Sequence, residues 1–317
     1  MLNQQRIIIN ICTYKRPQML QNCLESLMHQ AVPTDWIVEI LIVDNDANET
    51  AKALIENYQT RSVFPIHYFC EKNQGIPFAR NRGCVESLAK NADWILFMDD
   101  DETADPNWFM AYHEAVQKYQ GDVYSGPVRY IFPDDYSDWL GNKGDSETPD
   151  GALKKRASTN NALVNRKVLE HPGYHLRFDN NLAYTGGEDT DFFIRYEKMG
   201  GKIIHVSQAI VVEEVTQNRL TISWRLKRQY SSSTNRVYVN KKIMGSFKAV
   251  LLALKEFLRH SAEGSLGLLI SPIFMIKGKN IFKRKVYHAL RHMAKGIGSL
   301  TGIFNMQPEP YKSPDGF

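Results

Sequence analysis

Trp94-Ile95-Leu96-Phe97-Met98-Asp99-Asp100-Asp101-Glu102 is an apolar run that passes without a break into four carboxylates. Short buried runs of this kind read as strands, and in an open α/β sheet ligands bind beyond the carboxyl ends of the strands. Crowded negative charge is costly unless a cation compensates, and hard divalent ions prefer carboxylate oxygen. An acidic loop ending a strand in solvent is the plain alternative, and the surrounding sequence argues against it.

Working outward, Ile7–Cys12, Val38–Asp44, Pro65–Cys70 and Asp93–Asp99 are brief β-branched or aromatic runs, while 17–29, 50–59, 77–89 and 106–118 carry apolar residues at helical spacing. This alternation predicts an α/β fold with a parallel sheet covered on both faces. Val123–Tyr130 reads as a further strand, and 133–157, rich in Asp, Gly, Pro and Lys, as a long functional loop. Order resumes at Ser158–Asn165, followed by a helix near 188–199 that stops at Gly200-Gly201 and a strand over Lys202–Val215. A last helical region starts near 219.

With 317 residues, 43% of them hydrophobic, the chain can bury a large core plus an appendage. The four cysteines at 12, 23, 70 and 84 form no paired motif, and the N-terminus lacks a signal-peptide pattern, so reduced thiols and a cytosolic domain are expected. A net charge of +4 hides an asymmetry: residues 241–317 hold 13 Lys/Arg against four acids, about +9, leaving 26 basic against 31 acidic residues in 1–240. The expected division is therefore a catalytic domain, 1–240, and a basic amphipathic helical tail, 241–317.

A second acidic cluster, Gly186-Gly187-Glu188-Asp189-Thr190-Asp191, precedes Phe192 and Phe193. Acids in a first helical turn favour the helix dipole, but three behind a Gly-Gly exceed what capping needs. Asn73-Gln74-Gly75-Ile76-Pro77-Phe78-Ala79-Arg80-Asn81-Arg82-Gly83 offers arginine to a diphosphate, with Arg80 and Arg82 equivalent by spacing. Asp44-Asn45-Asp46-Ala47-Asn48 begins like a calcium loop, yet Glu49 and Ile55 occupy the places of its glycine and its last glutamate. Neither GxxxxGK[ST] nor GxGxxG occurs.

These blocks resemble glycosyltransferase family 2, the inverting GT-A enzymes, and within it the bacterial exopolysaccharide and lipopolysaccharide branch. The resemblance is carried, in order, by Ile11-Cys12-Thr13-Tyr14-Lys15-Arg16-Pro17, Ile42-Val43-Asp44-Asn45, Asn73-Gln74-Gly75 with Ala79-Arg80-Asn81, and Asp99-Asp100-Asp101. Thr159-Asn160-Asn161-Ala162 and Gly186-Gly187-Glu188-Asp189 agree as well, so it covers roughly residues 5–230. It implies a GT-A fold whose mainly parallel, mixed sheet is flanked by helices, with a C-terminal helical appendage.

Carried over by position, the resemblance implies that Thr13, Tyr14, Arg16, Asp44, Asn73 and Asp100 belong to the donor-nucleotide site, with Asp44 near the nucleobase, Arg80 near the phosphates and Asp99 near the ribose. Asp101, with Asp99, would hold Mn²⁺ or Mg²⁺. Asp189 would be the base, and Glu188 would lie beside the acceptor. Where many relatives supply a metal-binding histidine, this chain reads Val211-Val212-Glu213-Glu214-Val215, leaving Glu213 and Glu214 as alternatives. Gln217-Asn218-Arg219-Leu220 lacks the Gln-x-x-Arg-Trp of processive synthases, so one sugar per encounter is expected. The implied reaction moves a sugar from a nucleotide diphosphate donor, a UDP-sugar, to a glycan or lipid-linked acceptor, with no nucleic-acid partner. A sugar nucleotidyltransferase would need the glycine-rich phosphate loop absent here, and a noncatalytic binding protein would not need both acid clusters.

In the tail, Ile243, Phe247, Val250, Leu251, Leu254, Phe257 and Leu258 fall at helical spacing among Lys248, Lys255 and Arg259. Leu266–Ile276 is an apolar run of eleven residues broken by Pro272, too short to span a bilayer needing about 20. With Lys283-Arg284-Lys285, Arg291 and Lys295 beyond it, the tail reads as a peripheral contact to the inner face of the cell membrane, or as helices packed on protein.

Overall fold

The computed structural model describes residues 4–134, 136, 148–173, 176–306 and 308–310. Two compact units divide the chain: Met1–Ile131, Asp145–Ala183 and Glu188–Glu214 form one, and Phe132–Gly144, Tyr184–Gly187 and Val215–Phe317 the other.

The first unit is the α/β body. Its strands are β1 (Gln5–Thr13), β2 (Trp36–Asp44), β3 (Ile66–Cys70), β4 (Trp94–Asp99), β5 (Glu102–Ala104), β6 (Val123–Ser125), β7 (Val128–Ile131), β8 (Leu153–Lys154), β9 (Asn161–Asn165), β10 (Ile203–His205) and β11 (Val211–Glu214). Its helices are α1 (Pro17–Met28), α2 (Lys52–Arg61), α3 (Ile76–Ala89), α4 (Trp108–Lys118), α5 (Arg166–Glu170) and α6 (Glu188–Lys198). Eight strands run in the order β3-β2-β1-β4-β9-β6-β10-β8, and a small sheet runs β5-β11-β7. The parallel quartet β3-β2-β1-β4 matches the sequence reading. The antiparallel β9 joins it to β6, and β8 closes the far edge antiparallel to β10.

Alternation along β1 builds both cores. Ile7, Ile9 and Ile11 pack with Leu20, Cys23, Leu24 and Leu27 of α1, which recur at helical spacing, while Ile8 packs on the other face with Ala79 of α3 and Phe192 and Phe193 of α6. Each Ile, Leu and Phe side chain among them contributes roughly 1.5–3 kcal/mol on burial.

Three sequence expectations need correction. Val123–Tyr130 is two strands, β6 and β7, and Lys202–Val215 is likewise β10 and β11, each pair divided between the two sheets. Asn161 governs both crossings: its Nδ2 donates to the carbonyls of Pro127 (2.9 Å) and Ala209 (2.7 Å), while Oδ1 accepts from Trp108 Nε1 (2.9 Å) and Tyr112 Oη (2.6 Å). An amide so saturated holds both strand breaks in place, because buried polar groups must be paired. Finally, the expected loop 133–157 contains strand β8; residues 135 and 137–147 of it lie outside the described residues.

The second unit is helical: α7 (Gln217–Leu220), α8 (Ile222–Met244), α9 (Ser246–Ile270), a 3-10 segment Ser271–Lys277 and α10 (Lys279–Ile303). Residue 240, where the sequence reading divides the chain, falls inside α8. Helix α10 packs closely on α8, and Thr234 Oγ1 donates to the Gly298 carbonyl at 3.2 Å. Lys241 Nζ donates to the carbonyls of Gly302 (3.2 Å) and Ile303 (2.9 Å), satisfying the negative end of α10. Tyr184–Gly187 belongs to this unit: Asn235 Nδ2 donates to the Thr185 and Gly186 carbonyls at 2.6 and 2.7 Å. Gly186 and Gly187 have φ of 72° and 88°, and a Cβ on Gly187 would lie 3.3 Å from that of Asn235. The close approach expected to serve a ligand is made here by Asn235.

Helix α9 buries its small side, Ala249, Ala253 and Gly264, and turns its large apolar residues outward, with Phe247 78%, Leu258 66% and Leu269 77% exposed. Among the described residues no helix is long and apolar enough to cross a membrane.

Candidate active site

Register brings the site together. Thr13 pairs with Asp44 and Cys12 with Asp99, so the carboxyl ends of β1, β2 and β4 lie side by side. Beyond Asp99 the chain crosses from the large sheet to β5 of the small one, and Asp100 and Asp101 occupy the corner.

Thr13 Oγ1 donates to Asp100 Oδ2 at 2.7 Å, and Arg16 Nη1 lies 3.5 Å from Asp100 Oδ1 and 3.4 Å from Asp101 Oδ2. Asp100 is buried, and burial followed by the neighbouring Asp101 pushes its carboxyl up to about 7 against the pull of Arg16 and Thr13. Glu102, also buried, is held well above the usual range by burial and then by Asp99, Asp101 and Glu213. Its Oε2 accepts from the Asp99 backbone N–H at 3.2 Å, and its buried Oε1 has no hydrogen-bond partner among the described residues. Asp99 is the open member, its side chain 40% exposed.

Crowded carboxylates, raised proton affinity and an unmatched buried oxygen are the conditions a hard divalent cation relieves, so the donor set fits Mn²⁺ or Mg²⁺. Of the two acids left open by the sequence, Glu213 pairs directly opposite Glu102 across β11 and β5 and is buried, whereas Glu214 is exposed. Strand alternation turns only one of two adjacent residues inward.

Arg80 joins the two acid clusters. Its Nη2 lies 3.1 Å from Asp99 Oδ1, and its Nη1 donates to Glu188 Oε1. Burial opposes the Arg80 charge, and Glu188 and Asp99 more than offset that effect. Burial also raises Glu188, with Arg80 opposing. Arg82, equivalent to Arg80 by spacing, instead pairs with Glu86 four residues on at 2.8 Å. The helical phase of α3 makes the distinction.

The three acids of α6 have different surroundings. Glu188 pairs with Arg80, and Asp191, fully buried, accepts from Arg195 Nη2 and Nε at 2.7 and 2.9 Å. Asp189 is half-buried and held by neutral donors: Ser158 Oγ to Oδ2 at 2.7 Å, and the Thr190 backbone N–H and hydroxyl to Oδ1 at 2.5 and 3.2 Å. Among the described residues, Glu188 and Asp191 thus have guanidinium partners, whereas the hydrogen bonds to Asp189 come from uncharged groups. The sequence reading missed Ser158, and no spacing rule marks a serine 31 residues from its partner.

Asp44, expected near the nucleobase, is buried and accepts from the Asp46 and Ala51 backbone N–H groups (3.0 and 2.9 Å) and from Tyr68 Oη (3.0 Å). It shapes the loop after β2. Asn73 is exposed, its side chain donating to Glu71 at 2.9 Å, and the half-buried Tyr14 has Lys15 Nζ 5.0 Å from its ring centre.

Comparison with known proteins bears on the family and the fold. Residues 8–178 match the model for "Glycosyl transferase family 2". The chain is 34% identical over 230 residues to the succinoglycan biosynthesis protein ExoM of Rhizobium meliloti, covering 71% of this chain and 72% of that protein. Among solved structures, S. aureus TarS 1-349 aligns over 94% of this chain and 91% of its own at 12% identity, TM-score 0.51. GalNAc-T7 with UDP, GalNAc and Mn²⁺ aligns over 74% of this chain and 51% of its own at 14% identity, TM-score 0.54. These last two are likenesses of fold.

Proposed function

The chain belongs to glycosyltransferase family 2, and from that membership we propose that it transfers a sugar, with inversion, from a UDP-sugar to a glycan or lipid-linked acceptor in bacterial surface polysaccharide synthesis. The observation that carries this reading is Arg80, which ties the acids after β4 to the first turn of α6. Arg80 thereby links Asp99, on the proposed donor side, to Glu188, the neighbour in sequence of the proposed base Asp189. The exopolysaccharide role of ExoM favours the substrate class, and a protein of the same fold binds UDP and Mn²⁺.

In the proposed reaction Asp189 takes the proton of the acceptor hydroxyl as that oxygen attacks C1 of the sugar. The bond from C1 to the diphosphate oxygen breaks as the new one forms, so the anomeric centre inverts through an oxocarbenium-like state. Asp101 and Asp99, with Glu213 on the same side as Glu102, would hold a divalent cation, which would supply neutralisation of the charge growing on the departing diphosphate. Thr13 and Arg16 fix Asp100 so that the acids keep their places, while Tyr14 and Asn73 line the nucleotide side and Glu188 keeps Arg80 charged. The test is transfer by purified protein with Mn²⁺ across a panel of nucleotide sugars. Turnover of a UDP-sugar is expected, and turnover only with a donor lacking a diphosphate overturns the reading.

The helical unit is proposed to bind the inner face of the cell membrane peripherally. The outward apolar side of α9 continues into exposed Ile273, Met275 and Ile276, beside exposed Lys277, Lys279, Lys283, Arg284 and Lys285. Apolar contact flanked by cations suits anionic lipid, each cation near the surface contributing on the order of 1 kcal/mol. Intact protein is expected to co-sediment with anionic vesicles, to be released as salt rises, and to bind neutral vesicles less. Replacing Lys283, Arg284 and Lys285 by Gln should weaken sedimentation and transfer to a lipid-linked acceptor while leaving donor hydrolysis intact. Salt-independent binding released only by detergent, or no binding by a soluble dimer, would exclude this mode.

A further inference from the structure

Away from the acid clusters, α9 and α10 bring a second set of ligating side chains together. His260 Nδ1 lies 3.1 Å from Glu263 Oε2, His292 Nδ1 lies 2.7 Å from the same oxygen, and the two Nδ1 atoms are 3.1 Å apart. Two nitrogens and one oxygen, from residues up to 32 apart in sequence, thus converge on one point. In a tetrahedral zinc site with Zn–N near 2.0–2.1 Å, ligand atoms stand about 3.3 Å from one another. Two of the observed separations, 3.1 Å each, fall about 0.2 Å short of that, and the third, 2.7 Å, about 0.6 Å short.

The surroundings support the convergence. His260 is buried, and its other ring nitrogen, Nε2, lies 3.2 Å from Glu256 Oε2, the carboxylate placement that orients a metal-binding imidazole. Arg259 Nη2 reaches the same Glu256 oxygen at 2.7 Å and stands 3.3 Å from His260 Nε2. Close helix approach is built in: a Cβ on Gly296 would lie 3.4 Å from that of His260, and one on Gly264 would lie 2.6 Å from Met293 Cγ. Glu263 is 41% and His292 34% exposed by side chain, leaving an open side for a water ligand and for entry.

We propose that His260, Glu263 and His292 form a binding site for a first-row transition-metal ion, best matched by Zn²⁺, which cross-links α9 to α10. Two imidazoles and one carboxylate select such ions over Mg²⁺ and Ca²⁺, whereas the acids after β4 offer oxygen alone. The ion would stiffen the hairpin whose outer side carries the exposed apolar residues of α9. It plays no part in sugar transfer.

The test is Co²⁺ titration of the intact, chelator-stripped protein in excess Mg²⁺, which occupies the oxygen-only site. Visible d–d bands of a nitrogen-ligated four-coordinate ion, abolished by one equivalent of Zn²⁺, are expected. His292→Ala and Glu263→Gln should each lose the bands and one equivalent of bound Zn²⁺ while keeping transfer activity. Glu256→Gln should retain the site with affinity weakened about 10–100-fold. Zn²⁺ should raise the melting temperature of the unaltered protein but not of the first two variants. Equal Zn²⁺ binding by the unaltered protein and both variants, or no bands at all, would reduce the cluster to a histidine–carboxylate hydrogen-bonded clamp and overturn the proposal.

Discussion

Asp101→Asn is expected to abolish sugar transfer and to remove most Mn²⁺-dependent nucleotide binding while leaving the fold intact. The substitution keeps the shape of the side chain and deletes one charge from a corner already crowded by Asp99, Asp100 and Glu102. The charge it loses is the one expected to face the cation. The cost to folding should be small, because the salt bridge from Asp101 to Arg16 is 3.4 Å long and Arg16 keeps Asp100 as a second partner at 3.5 Å. Calorimetric titration of UDP with and without Mn²⁺ separates the two effects, and unchanged far-UV dichroism checks the fold. Full turnover by this variant in EDTA would sink the metal-assisted mechanism.

For Asp189→Asn the expected loss lies in turnover, roughly 10²–10⁴-fold, with donor affinity nearly unchanged. The surroundings of α6 make this sharper than sequence alone could. Glu188 and Asp191 are each paired with an arginine, so neither is placed to replace the lost proton acceptor. The limb of the pH–rate profile that reports the base in the unaltered enzyme should disappear in the variant. A loss of only a few fold would move the role to Glu188 or Asp191. Asp191→Asn serves as the contrast: it breaks a buried ion pair and should lower stability before it alters the pH profile, since removing one partner of such a pair costs about 3–5 kcal/mol.

Much of the α/β body was legible in the residues. Helices α1 to α4 and α6 start and stop within about two residues of the positions their apolar spacing predicts, because each buries one stripe against the sheet. The parallel quartet was equally plain: β1, β2 and β4 are largely buried runs rich in Ile, Leu and Val, and the edge strand β3 adds a short aromatic run of which Ile66 is buried. The small sheet was not legible. Whether Val123–Tyr130 is one strand or two depends on Asn161, distant in sequence, whose amide holds the Pro127 and Ala209 carbonyls. Local pattern carries no trace of such a tie.

The candidate site divides along the same line. Which acids exist and where they fall relative to strand β4 and helix α6 was determined by sequence, since a carboxylate run after a buried strand can lie only at the strand's carboxyl end. Their division of labour was decided by tertiary structure. Arg80 and Arg82 are equal in the sequence, and helical phase gives one to Glu188 and Asp99 and the other to Glu86. Glu213 and Glu214 are equal as well, and pairing with β5 sets Glu213 opposite Glu102. In the tail, sequence established an amphipathic helix but not which side faces out. Packing of Ala249, Ala253 and Gly264 turned the large apolar residues to the surface, because small side chains let helices approach most closely.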